Sequence, residues 1–552
     1  EVRMGLFKER DLLYAPAQGH ECTMIFLTYA SYYRMEVSED DANQAFGTNA
    51  MDLQVVKRRM IIWLDEVECG IPGGSHHEYE RLGYGAADSS KAWHTQVTRA
   101  MEEEGMTESR YVPCLYIKRI GDRGLILIAV ATDGFFVACT RDAASREEKQ
   151  RIRKGLARRW TMKVAEQAQR IQGIAIDDKE GQTVTLTQPA QIQKLRERFF
   201  PNGARVPTIL TPAHPQLKYA EEDDGYYTAE ELLVQRDGRE PLKESVYRSD
   251  LGLTQYLRQT RVDVHVVLSL LGQHSTRRER VHPDAFEHLA AFLITTKAVG
   301  LVLQRGPEGA DPRTPLRYTA WTDASWGTAQ GGRSRFGVLV IADTEEPERQ
   351  GPTIAATIIE KTVPSDSAFA AECVAQVQGW HRIAIVRGAA DEIAGTNQGP
   401  TEDTTNHPAT IMMQDNESLT KVVRGETKRS KNFRRLNRLV HTLRALTEAG
   451  IIESELVGSK GQRADGMTKI YAAPTEQWRH GEQMQGQQPA VTEMQALAKQ
   501  RGARKLPQRL VKKAATHKRP KGAGAAADEI IKAAAEPGRK EKRGRELADK
   551  PI

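Results

Sequence analysis

The sequence predicts a multidomain chain of mixed α+β and α/β character, and three observations carry that expectation. Short strand-like apolar runs alternate with amphipathic stretches of helical period up to about residue 480. An apolar hairpin is written into LILIAVATDGFFVACTRD at 125–142, where β-branched and aromatic residues flank an Asp-Gly pair. The second half then reads strand, strand, strand, helix, strand, helix, strand, the pattern of an α/β domain of about 150 residues.

Taken in order, residues 1–200 mix strand-like runs with amphipathic helices, one over 89–104 and a strongly charged one over 147–161. Strands at 170–176 and 183–187 flank an Asp-Asp-Lys-Glu-Gly turn, and a helix over 191–199 is closed by Phe200-Pro201. Pro, Asp, Glu and Gly crowd 201–245, which reads as a connector. Apolar positions at helical spacing in YLRQTRVDVHVVLSLLGQH and FEHLAAFLITT make 247–300 mainly helical. A Gly/Pro/Asp-rich linker at 305–315 marks a boundary. Beyond it RYTAWTD, RFGVLVIAD and TIAATIIE read as strands. A helix at 367–386, a loop at 394–408, a strand at 409–414, a basic helix at 432–448 and a strand at 451–457 follow.

Composition narrows the classes. Of 552 residues 39% are hydrophobic and 28% charged, as in a globular chain. The longest apolar runs fall far short of the roughly 20 residues that span a bilayer, so no membrane partner is expected. The chain opens on Glu1 with no signal-peptide pattern, which suggests a fragment or processed product. Five scattered cysteines without CxxC spacing indicate neither a zinc site nor a disulfide framework. From Arg501 on there are 16 Lys/Arg against 6 Asp/Glu, leaving 63 against 67 before it, so the basic character sits in the tail. That tail reads as a phosphate-binding arm or a solubilising end, and its KKAATHKRPK as a nuclear-import signal or ordinary charge.

Four carboxylates stand out in the second half. Asp323 ends a strand in YTAWTDASW, Glu372 lies on a helix in SAFAAECVAQ, Asp415 ends another strand in IMMQDNES, and Asp465 sits in GQRADGMTK. Strand ends and helix starts converge at one sheet edge, where clustered acids require cations; two Mg²⁺ ions are the usual partners in phosphodiester hydrolysis. The bland alternatives are a helix cap for Asp415-Asn416 and a turn for Asp323.

With their surroundings these segments resemble the reverse transcriptase and ribonuclease H part of the polyprotein of copia-type LTR retrotransposons. Asp323-Ala324-Ser325-Trp326 resembles the family's D-A-D-W, and Ser367 through Cys373 its S-S-T-E-A-E-Y, with Glu372 as the retained catalytic Glu and Ala370 in place of the other. Asp415-Asn416 resembles its D-N, Ala464 through Lys469 its A-D-x-x-T-K, and Arg429-Ser430-Lys431-Asn432 its basic R-T-K-H. Further upstream, Tyr14-Ala15-Pro16, Asp41 through Phe46, Leu82 through Trp93, Pro113 through Tyr116, Arg170 through Ile174, Leu186 through Gln188 and Tyr247 through Asp263 resemble successive family blocks. The match runs over roughly 12–480, and the basic segment that precedes the Tyr-Ala-Pro block in the family has no counterpart, so the chain looks N-terminally incomplete.

The resemblance implies a right-hand-like polymerase palm, fingers and thumb followed by a ribonuclease H-like domain with a mixed sheet. The implied divisions are reverse transcriptase at 1–205, thumb or connection at 206–310, ribonuclease H-like domain at 316–475 and disordered tail at 481–552. It implies Asp41 and Asp133 as polymerase metal ligands, Phe46 as the selector against ribose, and Asp323, Glu372, Asp415 and Asp465 as ribonuclease H ligands. Arg429, Lys431 and Arg435 would contact the hybrid backbone. Mg²⁺, two per site with Mn²⁺ as substitute, RNA template, DNA primer, RNA–DNA hybrid and dNTPs are implied as cofactor and partners. Homo-oligomers or association with integrase, in a cytoplasmic virus-like particle or the nucleus, complete the expectation.

The opening hairpin falls on the family's Y-V-D-D, with Ala131-Thr132-Asp133-Gly134 in its place. Gly134 stands where a second Asp would be, keeping the tight turn while removing a charge from the metal site. The alternative is a degenerate copy without polymerase activity, acting as a ribonuclease H or nucleic-acid-binding protein. His76-His77 reads as surface loop, since no third ligand stands at a sensible spacing.

Overall fold

The computed structural model describes residues 18–43, 60–64, 67, 72, 75–79, 89–179, 181–214, 217, 243–275, 284–329, 331–361, 365–396, 409–427, 436–471 and 474–486. These form a mixed α+β architecture with several sheets. Helix α1 (His20–Tyr32) and strand β1 (Glu36–Ala42) come first, then a ribbon of β2 (Met60–Leu64) and β3 (Ser75–Tyr79). Next are α2 (Ser89–Glu103), β4 (Thr107–Glu108), β5 (Leu115–Ile120), β6 (Gly124–Ala131), β7 (Gly134–Cys139), α3 (Ala143–Ala157) and β8 (Met162–Ala165). They build an antiparallel sheet of order β4-β5-β6-β7-β1-β8.

Strands β9 (Arg170–Ile171), β10 (Ile174–Lys179) and β11 (Thr183–Thr187) lead into α4 (Pro189–Phe199), α5 (Glu244–Gln255), α6 (His265–Gln273) and α7 (Asp284–Thr295). Strand β12 (Leu301–Gln304) then returns beside β11, closing a sheet of order β12-β11-β10-β9. The last sheet takes β13 (Tyr318–Ala329), β14 (Arg333–Ala342) and β15 (Ile354–Ile359), then α8 (Ala368–Ala394) and β16 (Thr410–Gln414). After these come α9 (Glu417–Val423), α10 (Asn437–Glu448), β17 (Ile452–Leu456) and α11 (Pro474–Gln485). Its order is β15-β14-β13-β16-β17; β16 runs parallel to β13 and β17, and β14 antiparallel to β13 and β15.

Several expectations shift. The charged helix begins at Ala143 rather than 147, because the Asp142 carboxylate accepts from the Ser145 N–H at 2.8 Å and caps it early. The expected strand over 170–176 is broken by Gln172 and Gly173, both at positive φ. The segment read as mainly helical contributes a strand, β12. The tail does not begin at 481: Met484 and Gln485 are buried, and the Gln485 side-chain amide donates to Asp263 at 2.9 Å. The hairpin turn is Thr132-Asp133, with Thr132 at φ 53, while Gly134 already pairs with Ala131 as the first residue of β7 and has no positive φ. The turn therefore does not depend on that glycine.

One continuous apolar core joins the three sheets. At its centre lies α1, whose residues from Cys22 to Ser31 are all buried, so it is enclosed all round rather than along one stripe. It touches β6, β7 and β12, and the hydroxyls of Thr28 and Thr353 meet at 3.1 Å. Among the described residues no helix is long and apolar enough to cross a membrane.

Candidate metal centre

The register of the parallel pair builds this site. Trp321 of β13 lies beside Met413 of β16, so Asp323 and Asp415, each two residues further on, stand level at the same sheet edge. The cap of α9 is Asn416, whose side chain accepts from the Leu419 N–H at 3.0 Å, which leaves Asp415 to face β13. Helix α8 is started by the Ser367 hydroxyl, which accepts from the Ala370 N–H at 3.2 Å. Gly379 then lets the helix lie against β13, since a Cβ there would stand 2.6 Å from Thr322 Cγ2. That approach delivers Glu372. Asp323, Glu372 and Asp415 each offer a carboxylate oxygen within 4.8 Å of the others.

Asp465 arrives from the far face. Its short turn is stapled by Gln462, whose amide donates to Thr322 O at 2.9 Å and accepts from the Ala464 N–H. Gly337 on β14 leaves no room for a side chain, because a Cβ would meet Met467 Cβ at 2.6 Å. The Asp465 carboxylate accepts from Lys469 Nζ at 2.7 Å and from the Tyr471 hydroxyl at 3.3 Å, and it is not part of the group of three. Lys469 Nζ is also 3.8 Å from Asp323 Oδ1, and the Thr468 hydroxyl donates to Asp323 Oδ2. Thr468, Lys469 and Tyr471 were not singled out by sequence; only the T-K of the last motif signals the first two.

Burial dominates the electrostatics. Asp323, 1% exposed, is pushed up to about 7 by burial, with Asp465 and Asp415 adding to the effect and Lys469 and Thr468 opposing it. Glu372 is pushed up to about 9 by burial and then by Asp323 and Asp415. Burial pulls the Lys469 ammonium down, but Asp323, Asp465 and Asp415 outweigh it and hold it above its ordinary value. Glu372 Oε2 is buried with no hydrogen-bond partner. An orphaned carboxylate oxygen grouped with two more carboxylates fits a hard divalent cation with oxygen ligands.

In the first sheet Asp41 pairs with Gly134 across β1 and β7, and the Ala42 N–H donates to Asp133 O at 2.9 Å. Asp41 and Asp133 therefore sit at one end of adjacent strands, both half-buried. The neighbouring Asp40 is committed elsewhere: Arg153 grips both its oxygens, at 2.8 and 2.9 Å. Phe46, Arg429, Lys431 and Arg435 lie outside the described residues, and His76 is exposed on β3.

The structure is thus a mixed α+β protein carrying a buried carboxylate group at the edge of a five-stranded mixed sheet. It is similar to the LC11 ribonuclease H1 solved in complex with an RNA/DNA hybrid, at 12% identity and a TM-score of 0.20, over 27% of this chain and 93% of that one. A second structure of LC11 ribonuclease H1, isolated from compost by a metagenomic approach, gives 12% identity and 0.20, over 28% and 92%. No protein-family profile and no curated protein matches the chain.

Proposed function

We propose that this chain is a divalent-metal-dependent nuclease that cuts the RNA strand of an RNA–DNA hybrid. The observation that carries the reading is the convergence of Asp323, Glu372 and Asp415 at one edge of the mixed sheet, with Glu372 Oε2 buried and unpartnered. Asp323, Glu372 and Asp415 would hold the cations, with Asp465 close by. Bound there, Mg²⁺ supplies an activated water and stabilises the leaving oxygen. The chain's own residues prepare the site: Thr468 orients Asp323, and Lys469, which donates to Asp465, offsets the acidic charge.

The test is cleavage of a labelled RNA–DNA hybrid with Mg²⁺, against the same RNA alone and the same duplex DNA. Hybrid-selective cleavage that falls more than about 100-fold in Asp323→Asn and Glu372→Gln is the expected result. A folded protein that leaves the hybrid intact overturns it.

A second reading concerns the first sheet, where Asp41, near the end of β1, lies beside the β6–β7 turn that carries Asp133. With the resemblance to copia-type elements, it makes the chain an RNA-directed DNA polymerase fused to the nuclease, using template, primer and dNTPs in a particle or the nucleus. Mg²⁺-dependent primer extension on an RNA template, lost in Asp133→Asn, is its test; hybrid cleavage without extension leaves a nuclease alone.

A further inference from the structure

A second group of three ligand-type side chains lies far from the carboxylate centre in sequence, on α2, β4 and the loop between β4 and β5. His94, Glu108 and Cys114 bring a ring nitrogen, a carboxylate oxygen and a thiol sulfur within 4.8 Å of one another. His94 Nε2 is 3.1 Å from Glu108 Oε1. In a tetrahedral zinc site, bonds of about 2.0–2.1 Å to nitrogen and oxygen put two such ligand atoms about 3.3 Å apart, close to that separation.

The surroundings hold the group in place. The Cys114 N–H donates to Glu108 Oε1 at 2.8 Å, and the Thr98 hydroxyl donates to Glu108 Oε2 at 3.3 Å while meeting the Tyr116 hydroxyl at 2.8 Å. Outer hydrogen bonds of this kind are what orient metal ligands. Cys114 takes a left-handed backbone with φ 66, a conformation that costs a residue with a side chain energy and turns its thiol toward Glu108 and His94. Glu108 is held below its usual value: burial opposes this, but His94 and the Cys114 N–H outweigh it. Among the described residues no lysine or arginine pairs with it. His94 and Glu108 side chains are each 20% exposed, which leaves a route in from solvent.

We propose that His94, Glu108 and Cys114 form a structural site for a zinc-class divalent cation, with solvent completing the coordination. The donor set of nitrogen, oxygen and sulfur selects zinc or cobalt over magnesium, the reverse of the all-carboxylate centre. On binding, the thiol proton passes to solvent and the sulfur bonds to the cation as thiolate. The consequence is local. The site ties α2 to the start of β5, and Trp93, next to His94, donates its indole N–H to Thr132 O at the tip of the β6–β7 hairpin. An occupied site therefore braces the hairpin that carries Asp133.

The experiment is titration of the full metal-free chain with Co²⁺ in excess Mg²⁺, which fills the carboxylate centre and leaves sulfur ligation as the readout. The expected result is a near-ultraviolet sulfur-to-cobalt charge-transfer band that saturates at one equivalent and is displaced by Zn²⁺. The band should vanish in Cys114→Ser, survive in Cys22→Ser, and need at least tenfold more Co²⁺ in His94→Gln. Absence of the band, or its persistence in Cys114→Ser, overturns the proposal. If Cys114→Ser fails to fold, His94→Gln, at a partly exposed position, decides: unchanged Co²⁺ affinity there overturns it equally.

Discussion

At Glu372, burial and the neighbouring carboxylates act in the same direction against the ionised form. Its carboxyl is held at about 9 and that of Asp323 at about 7, burial being the first cause of both. In the unfolded chain both titrate near about 4. The stability they contribute is therefore fully present below about pH 4 and lost as pH rises through the two raised values. The metal-free protein should lose melting temperature between about pH 5 and pH 9, and saturating Mg²⁺ should flatten that fall by binding the ionised form. Glu372→Gln should be more stable than the parent by about 1–3 kcal/mol at pH 8 without metal, and its melting temperature should respond far less to Mg²⁺. A flat profile in the parent, or an undiminished Mg²⁺ response in the variant, counts against the site. Gly134 offers a second residue-scale test. A Cβ there would meet Phe136 Cζ at 3.5 Å and Ala131 O at 3.6 Å, ordinary contact, in a strand position with no positive φ. Gly134→Asp should fold with a stability change within about 1 kcal/mol. In a polymerase site the added carboxylate should raise Mg²⁺-dependent primer extension about 10–100-fold. A folded variant with unchanged extension removes the argument from the missing Asp.

At the scale of elements, α8 links the carboxylate centre to the first sheet. Near its start it carries Glu372. Near its end the Glu392 carboxylate accepts from the Ser109 hydroxyl at 2.5 Å and from Arg110 Nε at 2.9 Å, while Arg119 donates to its carbonyl oxygen. Gly388, one turn before, lies against the Tyr111 ring so closely that a Cβ would sit 2.5 Å from it. Replacing glycine by alanine inside a helix ordinarily gains about 1 kcal/mol. Here overpacking costs about 1–3 kcal/mol and decides the sign, because the nearest atoms belong to the inner part of the ring rather than to a flexible tip. Gly388→Ala should therefore destabilise the protein in chemical denaturation. In a Tyr111→Ala background the same change should stabilise it, and failure of the sign to reverse would remove Tyr111 as the cause. Such contacts were not legible in the sequence, whereas the elements largely were. Alternation and strand-end acids placed β13 and β16, and the Thr-Asp-Gly placed the hairpin although not its turn residues. Strand β12 escaped because four residues, Leu301–Gln304, carry no periodicity and only pairing with β11 defines them. The group of His94, Glu108 and Cys114 escaped for a related reason: its members sit on a helix, a strand and a loop, and β4 closing on β5 brings them together.

At the scale of the whole molecule, sequence pattern suggests separate domains, while the structure joins its sheets through one core. The linker composition at 305–315 is genuine, but composition says nothing of α1, whose MIFLTYA has no polar face to mark it as a surface helix. Phe26 and Tyr29 of α1 are fully buried, in a cluster that also holds Leu127 and Phe136 of the first sheet, Leu186 and Leu303 of the second, and Val340 and Ile341 of the third. Chains of this size often unfold domain by domain, so a shared central helix makes a discriminating prediction. Phe26→Ala removes a buried ring at a cost of about 3–5 kcal/mol. If the sheets form one cooperative unit, that loss reaches amides throughout all three sheets, because core amides exchange only through the shared unfolding. Hydrogen exchange should then accelerate by about 100-fold or more, and by similar factors, in β6–β7 and in β13–β14. Acceleration confined to β6–β7 would show that the third sheet unfolds on its own, and the common core would be a contact between independent domains rather than the nucleus of one.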